Sequence, residues 1–277
     1  MKKAFQILLL MLIPLAVVEV ALRVAGIGGS IIYDEDPACG YRPRPGQRFA
    51  TMGTPIEILA DGFRGPAART NMLFLGDSVT YGTAYVKDAD TFPALLGGAN
   101  GGVNGWGLQN VARFLEGSAD DAFPTVIWTI PTCDVLRPFM TLRSGLISTN
   151  RRMWFRLEYL LRFIWYGHIR TQPAPNDPAT FEANQSAVLT SAAALKQQGR
   201  RLVLVFLPYR DEALGQVLPE TPFAQRLREA ATAAGMEILI ADPGSDAPGY
   251  YRDPAHLTPA GNRWLAGVIR AYLEKQP

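Results

Sequence analysis

The sequence predicts an α/β fold built on a parallel sheet with helices on both faces, and three observations carry that reading. Four short apolar runs, Met72–Leu75, 125–130, 202–207 and 238–240, are rich in Val, Ile and Leu and read as strands buried on both faces. Helical stretches lie between and after them: 181–198 stops at Gly199 and 223–234 stops at Gly235, the glycine that ends a helix. A third begins after Pro259 and carries Trp264, Leu265, Val268, Ile269 and Leu273. Strands alternating with helices imply parallel pairing through helical crossovers.

The chain has 277 residues, 48% of them hydrophobic and 19% charged, which suits a folded α/β domain and excludes a disordered one. A net charge of +2, with Lys and Arg scattered, offers no stripe for nucleic acid. Two cysteines, Cys39 and Cys133, and two histidines, His168 and His256, are too few and too dispersed for a zinc cage. No metal and no organic cofactor is expected. Whether Cys39 and Cys133 pair is not readable from their spacing.

The N-terminus carries a targeting signal. Lys2 and Lys3 precede an apolar run over residues 4–18, interrupted by Gln6 and Pro14, and Val20, Ala21 and Leu22 extend it past Glu19. Positive charge ahead of an apolar core marks a signal peptide or a signal anchor. No small-residue cleavage site stands out, and counted through Ala25 the run is about the twenty residues a span needs. Residues 1–27 are therefore expected to anchor an extracytoplasmic domain in a membrane; a cleaved segment would leave that domain secreted. Residues 28–68 are rich in Gly, Pro and charge, with 42–46 (Arg-Pro-Arg-Pro-Gly) as an extended linker. The domain itself is expected over 69–277. Within it, residues 151–170 interleave Arg151, Arg152, Arg156 and Arg162 with aromatic and aliphatic side chains. That composition suits an interfacial helix, a lid, or a helix packed on the domain. His168 lies there without an acidic neighbour and reads as structural.

The chemistry concentrates at two places. Strand Met72–Leu75 runs into Gly76-Asp77-Ser78-Val79-Thr80-Tyr81-Gly82, which puts Ser78 at a strand's carboxyl end just before a helix. Open α/β sheets place their ligands there, and helix amides favour the negative charge of acyl transfer. Position 80 is threonine, so this is not the Gly-x-Ser-x-Gly elbow. Taken alone, Asp77 or Ser78 could be a helix cap. The second place is Asp253-Pro254-Ala255-His256-Leu257-Thr258-Pro259. A serine hydroxyl needs a base, and the base needs a carboxylate that fixes its tautomer. Asp three residues before His supplies both from one turn stiffened by proline. Alone, this too could be a helix-capping turn.

Together and in this order, the two segments resemble the SGNH (GDSL-like) hydrolase family, from about Asp61 to the C-terminus. Asp61-Gly62-Phe63-Arg64-Gly65 also looks like the lead-in of anchored members. The resemblance implies a flavodoxin-like three-layer α/β/α sandwich and ester hydrolysis or acyl transfer. It makes Ser78 the nucleophile and an oxyanion amide, His256 the base and Asp253 its orienting partner. A second block, residues 100–107, places an oxyanion amide on Gly105. The third block departs from the family: Pro131-Thr132-Cys133-Asp134 puts Cys133 where an asparagine donor is expected. A thiol is a weak donor, and Thr132 is the nearest group that could complete the hole. The resemblance implies a hydrolase acting on acyl groups, acetyl among them, of an envelope glycan or small ester. Two other functions stay open: a polysaccharide O-acyltransferase with the same triad, and a catalytically silent binding protein.

Overall fold

The four apolar runs are strands of one sheet. The computed structural model describes residues 2–66, 71–117, 123–142, 150–151, 153–169 and 177–275; the side chains of 2–9, 11, 163 and 165–169, His168 among them, lie outside the described set. A helix, α1 (Lys2–Val24), precedes two antiparallel hairpins, β1 (Tyr33–Asp36) with β2 (Gly40–Pro43) and β3 (Gln47–Thr51) with β4 (Thr54–Ile58). There follow β5 (Met72–Leu75), α2 (Ser78–Tyr81), α3 (Phe92–Leu95), β6 (Ala99–Asn100), α4 (Leu108–Gly117) and β7 (Thr125–Pro131). The chain continues through α5 (Arg156–Ile169), α6 (Pro178–Gln197), β8 (Arg201–Leu207), α7 (Arg210–Ala213), α8 (Thr221–Ala233), β9 (Glu237–Ile240), α9 (Ala247–Tyr250) and α10 (Pro259–Lys275). Gly199 and Gly235, at φ 70° and 68°, take the left-handed conformation just past α6 and α8, as helix-ending glycines do.

Five strands pair in parallel in the order β6-β5-β7-β8-β9, which is the flavodoxin-like order. Alternate side chains divide between the two faces. Leu73, Leu75, Val126, Trp128, Ile130, Leu204 and Phe206 face one core with α4, α6 and α8; Phe74, Ile127, Val203, Val205 and Leu207 face the other with α3, α9 and α10. Three layers result, and the inner strands β5, β7 and β8 are buried on both faces, while the edge strand β9 is only partly covered.

An extended linker is expected over 28–68; its described part, residues 28–66, folds instead onto the first core. Tyr33, Tyr41, Ile56 and Ile58 are each at most 2% exposed. Strands of four or five residues alternate these buried side chains with charged ones, so charge and proline masked the pattern. The Asp61–Gly65 lead-in is a turn, with the Phe63 amide donating to Asp61, and it delivers Arg64 beside the edge strand. The Arg64 side chain is fully buried; it pairs with Asp88 at 2.8 Å and donates to the carbonyls of Tyr81, Thr83 and Val86. Those carbonyls lie in the segment that follows α2.

Among the described residues no helix is long and apolar enough to cross a membrane. Of the span expected over 1–27, the side chains of 1–9 and 11 lie outside the described set. Further along α1, Leu10, Ile13, Val17 and Val20 are exposed. Near the end of α1, Glu19 accepts from the backbone amides of Arg156 and Leu157, which caps α5 and joins the two helices.

Candidate active site

Chain order reverses between β5 and β7, because β6 lies on one side of β5 and the rest of the sheet on the other. The crevice outside the carboxyl ends at such a reversal is where open α/β sheets bind ligands. Three loops meet there, following β5, β6 and β7.

The first loop carries Ser78 at the start of α2. Asp77 caps that helix by accepting from the Val79 amide at 2.8 Å. Gly76 has φ 150°, and a Cβ there would press on the Thr80 hydroxyl and the Thr129 carbonyl, so only glycine makes this turn. The histidine arrives from the far end of the chain. Asp253 Oδ1 accepts from the amides of Ala255 and His256 at 3.0 and 2.9 Å, which closes the turn. The Thr258 hydroxyl accepts from the Gly261 amide and seats the turn on α10.

Folding brings these 178-residue-distant segments into contact. Ser78 Oγ lies 2.9 Å from His256 Nε2, and His256 Nδ1 lies 2.9 and 3.0 Å from the two Asp253 oxygens. With Nδ1 protonated toward Asp253, Nε2 is free to accept the serine proton. Burial pushes the Asp253 carboxyl up, but the His256 ring and the His256 and Ala255 amides outweigh it and hold Asp253 well below the usual carboxylate range. Tyr85 adds a longer contact to Asp253 Oδ2 at 3.3 Å, and Arg252 covers the Tyr85 ring at 3.9 Å. The His256 and Asp253 side chains are 29% and 41% exposed, so a substrate reaches them from solvent.

The second loop places Gly105 at φ 82°, beside the Tyr41 hydroxyl that donates to the Asn104 carbonyl at 2.8 Å. Gly102 lies against the α2 backbone at Tyr81, where a side chain would push the two loops apart. Among the described residues, the Ser78 and Gly105 amides have no hydrogen-bond acceptor, which leaves both for a ligand oxygen.

The third loop holds Cys133, and both cysteines are free thiols. Burial pushes the Cys133 thiol up, so it stays protonated. Its S–H points at Asp134 Oδ1, 3.3 Å away, and its sulfur accepts from Arg137 at 3.4 Å. Thr132 donates its hydroxyl to Glu212 at 2.6 Å. Both side-chain donors of this loop are therefore committed within the protein.

Arg137 was not singled out by the sequence. Nη1 donates to Asp77 Oδ2 at 3.2 Å and to the Trp106 carbonyl at 2.7 Å, and Nη2 pairs with Asp134 at 3.0 Å. Its one local signal was the three-residue spacing from Asp134, which says nothing of Asp77 sixty positions earlier.

No protein-family model matches the chain, and no curated protein matches it. Solved structures similar to it include a GDSL-like lipase from Bacteroides thetaiotaomicron, 14% identical, over 76% of this chain and 93% of that one, at a TM-score of 0.49. The acetyl xylan esterase AlAXEase is 14% identical over 73% of this chain and 98% of that one, at 0.46. A catalytic mutant of Axe2, an acetylxylan esterase from Geobacillus stearothermophilus, is 14% identical over 75% and 94%, at 0.44. These likenesses are remote, and the functional reading rests on the side-chain geometry.

Proposed function

We propose that the chain is a serine ester hydrolase of the SGNH type, removing acyl groups, acetyl among them, from an envelope glycan or a small ester. The observation that carries this is the continuous chain from Ser78 Oγ through His256 to Asp253 at 2.9 Å per step. In this reading His256 Nε2 takes the serine proton as Oγ bonds to the ester carbonyl carbon. The carbonyl oxygen gains the negative charge, and the Ser78 and Gly105 amides supply its hydrogen bonds. Collapse expels the alcohol, which takes the proton from His256 and leaves an acyl group on Ser78. Water then enters by the same route and bonds to the acyl carbon as His256 takes its proton; collapse breaks the bond to Ser78 Oγ, which takes that proton back as the acid leaves.

The reading includes a location. Helix α1 presents exposed apolar side chains to its surroundings, a membrane would cover them, and α5 begins where Glu19 caps it. Trp154 and Phe155, 74% and 63% exposed, precede α5 on this side, as interfacial aromatic residues do. A second reading, acyl transfer to a glycan hydroxyl, is favoured by one observation: the Cys133 S–H faces Asp134. An oxyanion held by two amides alone slows attack by water and by a sugar alike; a glycan hydroxyl bound beside the acyl-serine offsets that loss by proximity, which bulk water does not.

The test uses the full chain. Alkali-washed membranes carrying it should hydrolyse a chromogenic acetyl ester, and membranes carrying Ser78→Ala should lose at least about 10⁴-fold of that rate. Hydrolysis that survives in Ser78→Ala overturns the nucleophile, and activity confined to the soluble fraction overturns the anchor. Acyl transfer to added glycan faster than hydrolysis selects the second reading.

A further inference from the structure

Ser78 has two acceptors for one proton. His256 Nε2 is 2.9 Å from Oγ, and Asp77 Oδ2 is 3.3 Å from it on the preceding residue. Only the first is productive. A bare carboxylate draws a hydroxyl proton strongly, because charge-assisted hydrogen bonds exceed neutral ones. Asp77 is 2% exposed, so solvent does little to weaken it. The group that opposes it is Arg137, whose Nη1 donates to the same oxygen, Oδ2, at 3.2 Å.

The guanidinium reaches further. The same Nη1 holds the carbonyl of Trp106 at 2.7 Å, the residue after Gly105, and Nη2 holds Asp134 and the Cys133 sulfur. One planar cation thus ties all three loops together, at 23% side-chain exposure. Arginine suits this because its fork directs several donors at fixed angles.

Resting on the hydrolase reading above, we propose that Arg137 is an electrostatic positioning residue: it neutralises Asp77 so that the Ser78 proton goes to His256, and it fixes the Gly105 amide through the Trp106 carbonyl. Among the described residues Arg137 has no hydrogen bond or ion pair to Ser78, His256 or Asp253; it acts through Asp77 and Trp106.

The experiment measures kcat and KM on a chromogenic acetyl ester for the full chain and for Arg137→Met, Arg137→Lys, Asp77→Asn and the two double variants. Thermal melts report folding. Asparagine at 77 retains the carbonyl oxygen that caps the Val79 amide and removes the charge. Arg137→Met should lower kcat about 10²-fold, the scale of one lost electrostatic group, with KM within about threefold. Arg137→Lys should fall between it and wild type, and it keeps a cation for Asp134 should the methionine variant fail to fold. Asp77→Asn placed in either background should restore kcat at least about tenfold, because the charge to be neutralised is gone. A structural role would lower the melting temperature and leave kcat of the folded fraction intact. Unchanged kcat in Arg137→Lys and Arg137→Met, or double variants no better than the single ones, overturns the proposal while leaving the hydrolase standing. Turnover that Ser78→Ala does not reduce removes the hydrolase reading itself, and this inference with it.

Discussion

Asp253→Asn is expected to reduce ester hydrolysis by about 10⁴-fold while leaving the fold intact. The carboxylate does two jobs in one turn. Oδ1 accepts the Ala255 and His256 amides, which an asparagine carbonyl can still do. The pair of oxygens also faces His256 Nδ1 at 2.9 and 3.0 Å, and there an amide group cannot stabilise a protonated ring. The imidazole then shifts toward the tautomer with its proton on Nε2, which cannot take a proton from Ser78. The check is kcat/KM on an acetyl ester with a thermal melt alongside; a loss under tenfold would show that Asp253 does not orient the base. The pH dependence follows from the same contacts. The folded Asp253 titrates below its unfolded value of about 4, so its contribution to stability is present above that pH and is lost as pH falls toward the folded value. With the side chain 41% exposed, solvent screens that contribution. Asp253 stays ionised through the working range, so its carboxylate faces the His256 ring throughout.

Arg64→Ala is expected to cost about 3–5 kcal/mol of stability, the scale for removing one partner of a buried ion pair. The side chain is fully buried, and its loss removes the ion-pair partner of Asp88 and leaves the carbonyls of Tyr81, Thr83 and Val86 without their shared donor. For a chain of this size that lowers the melting temperature by about 10 °C. Activity should fall as well, because the segment it clamps follows α2 and carries Tyr85 to Asp253. Arg64→Lys should rescue little, since one ammonium cannot reach four acceptors in a plane. A melting temperature within about 2 °C of wild type in Arg64→Ala would contradict this account.

What the sequence made legible follows from how local each signal is. Strands β5, β7 and β8 announced themselves because burial on both faces demands unbroken apolar runs; β9 has a similar run but, as an edge strand, is only partly buried, with Ile240 53% exposed. β6 did not, because it is two residues long, Ala99–Asn100, within a glycine-rich stretch. The two hairpins were read as linker because each strand buries only one or two side chains among prolines and charges. At the site, Asp253 and His256 were readable as a pair because one turn holds both. That Ser78 would meet them depended on the crossover order of the whole sheet, and the family resemblance supplied that. Arg137 had no such help. Its partners Asp77 and Trp106 come from two other loops, and only the folded sheet brings them to one guanidinium.

The central claim is that Ser78 is an activated nucleophile. Treatment of the full chain with a fluorophosphonate, followed by peptide mass spectrometry, tests it without any assumption about the substrate. The account predicts near-stoichiometric labelling at Ser78, abolished in Ser78→Ala and strongly slowed in His256→Ala. A folded protein that takes up no label at Ser78, or labels equally fast without His256, would contradict it.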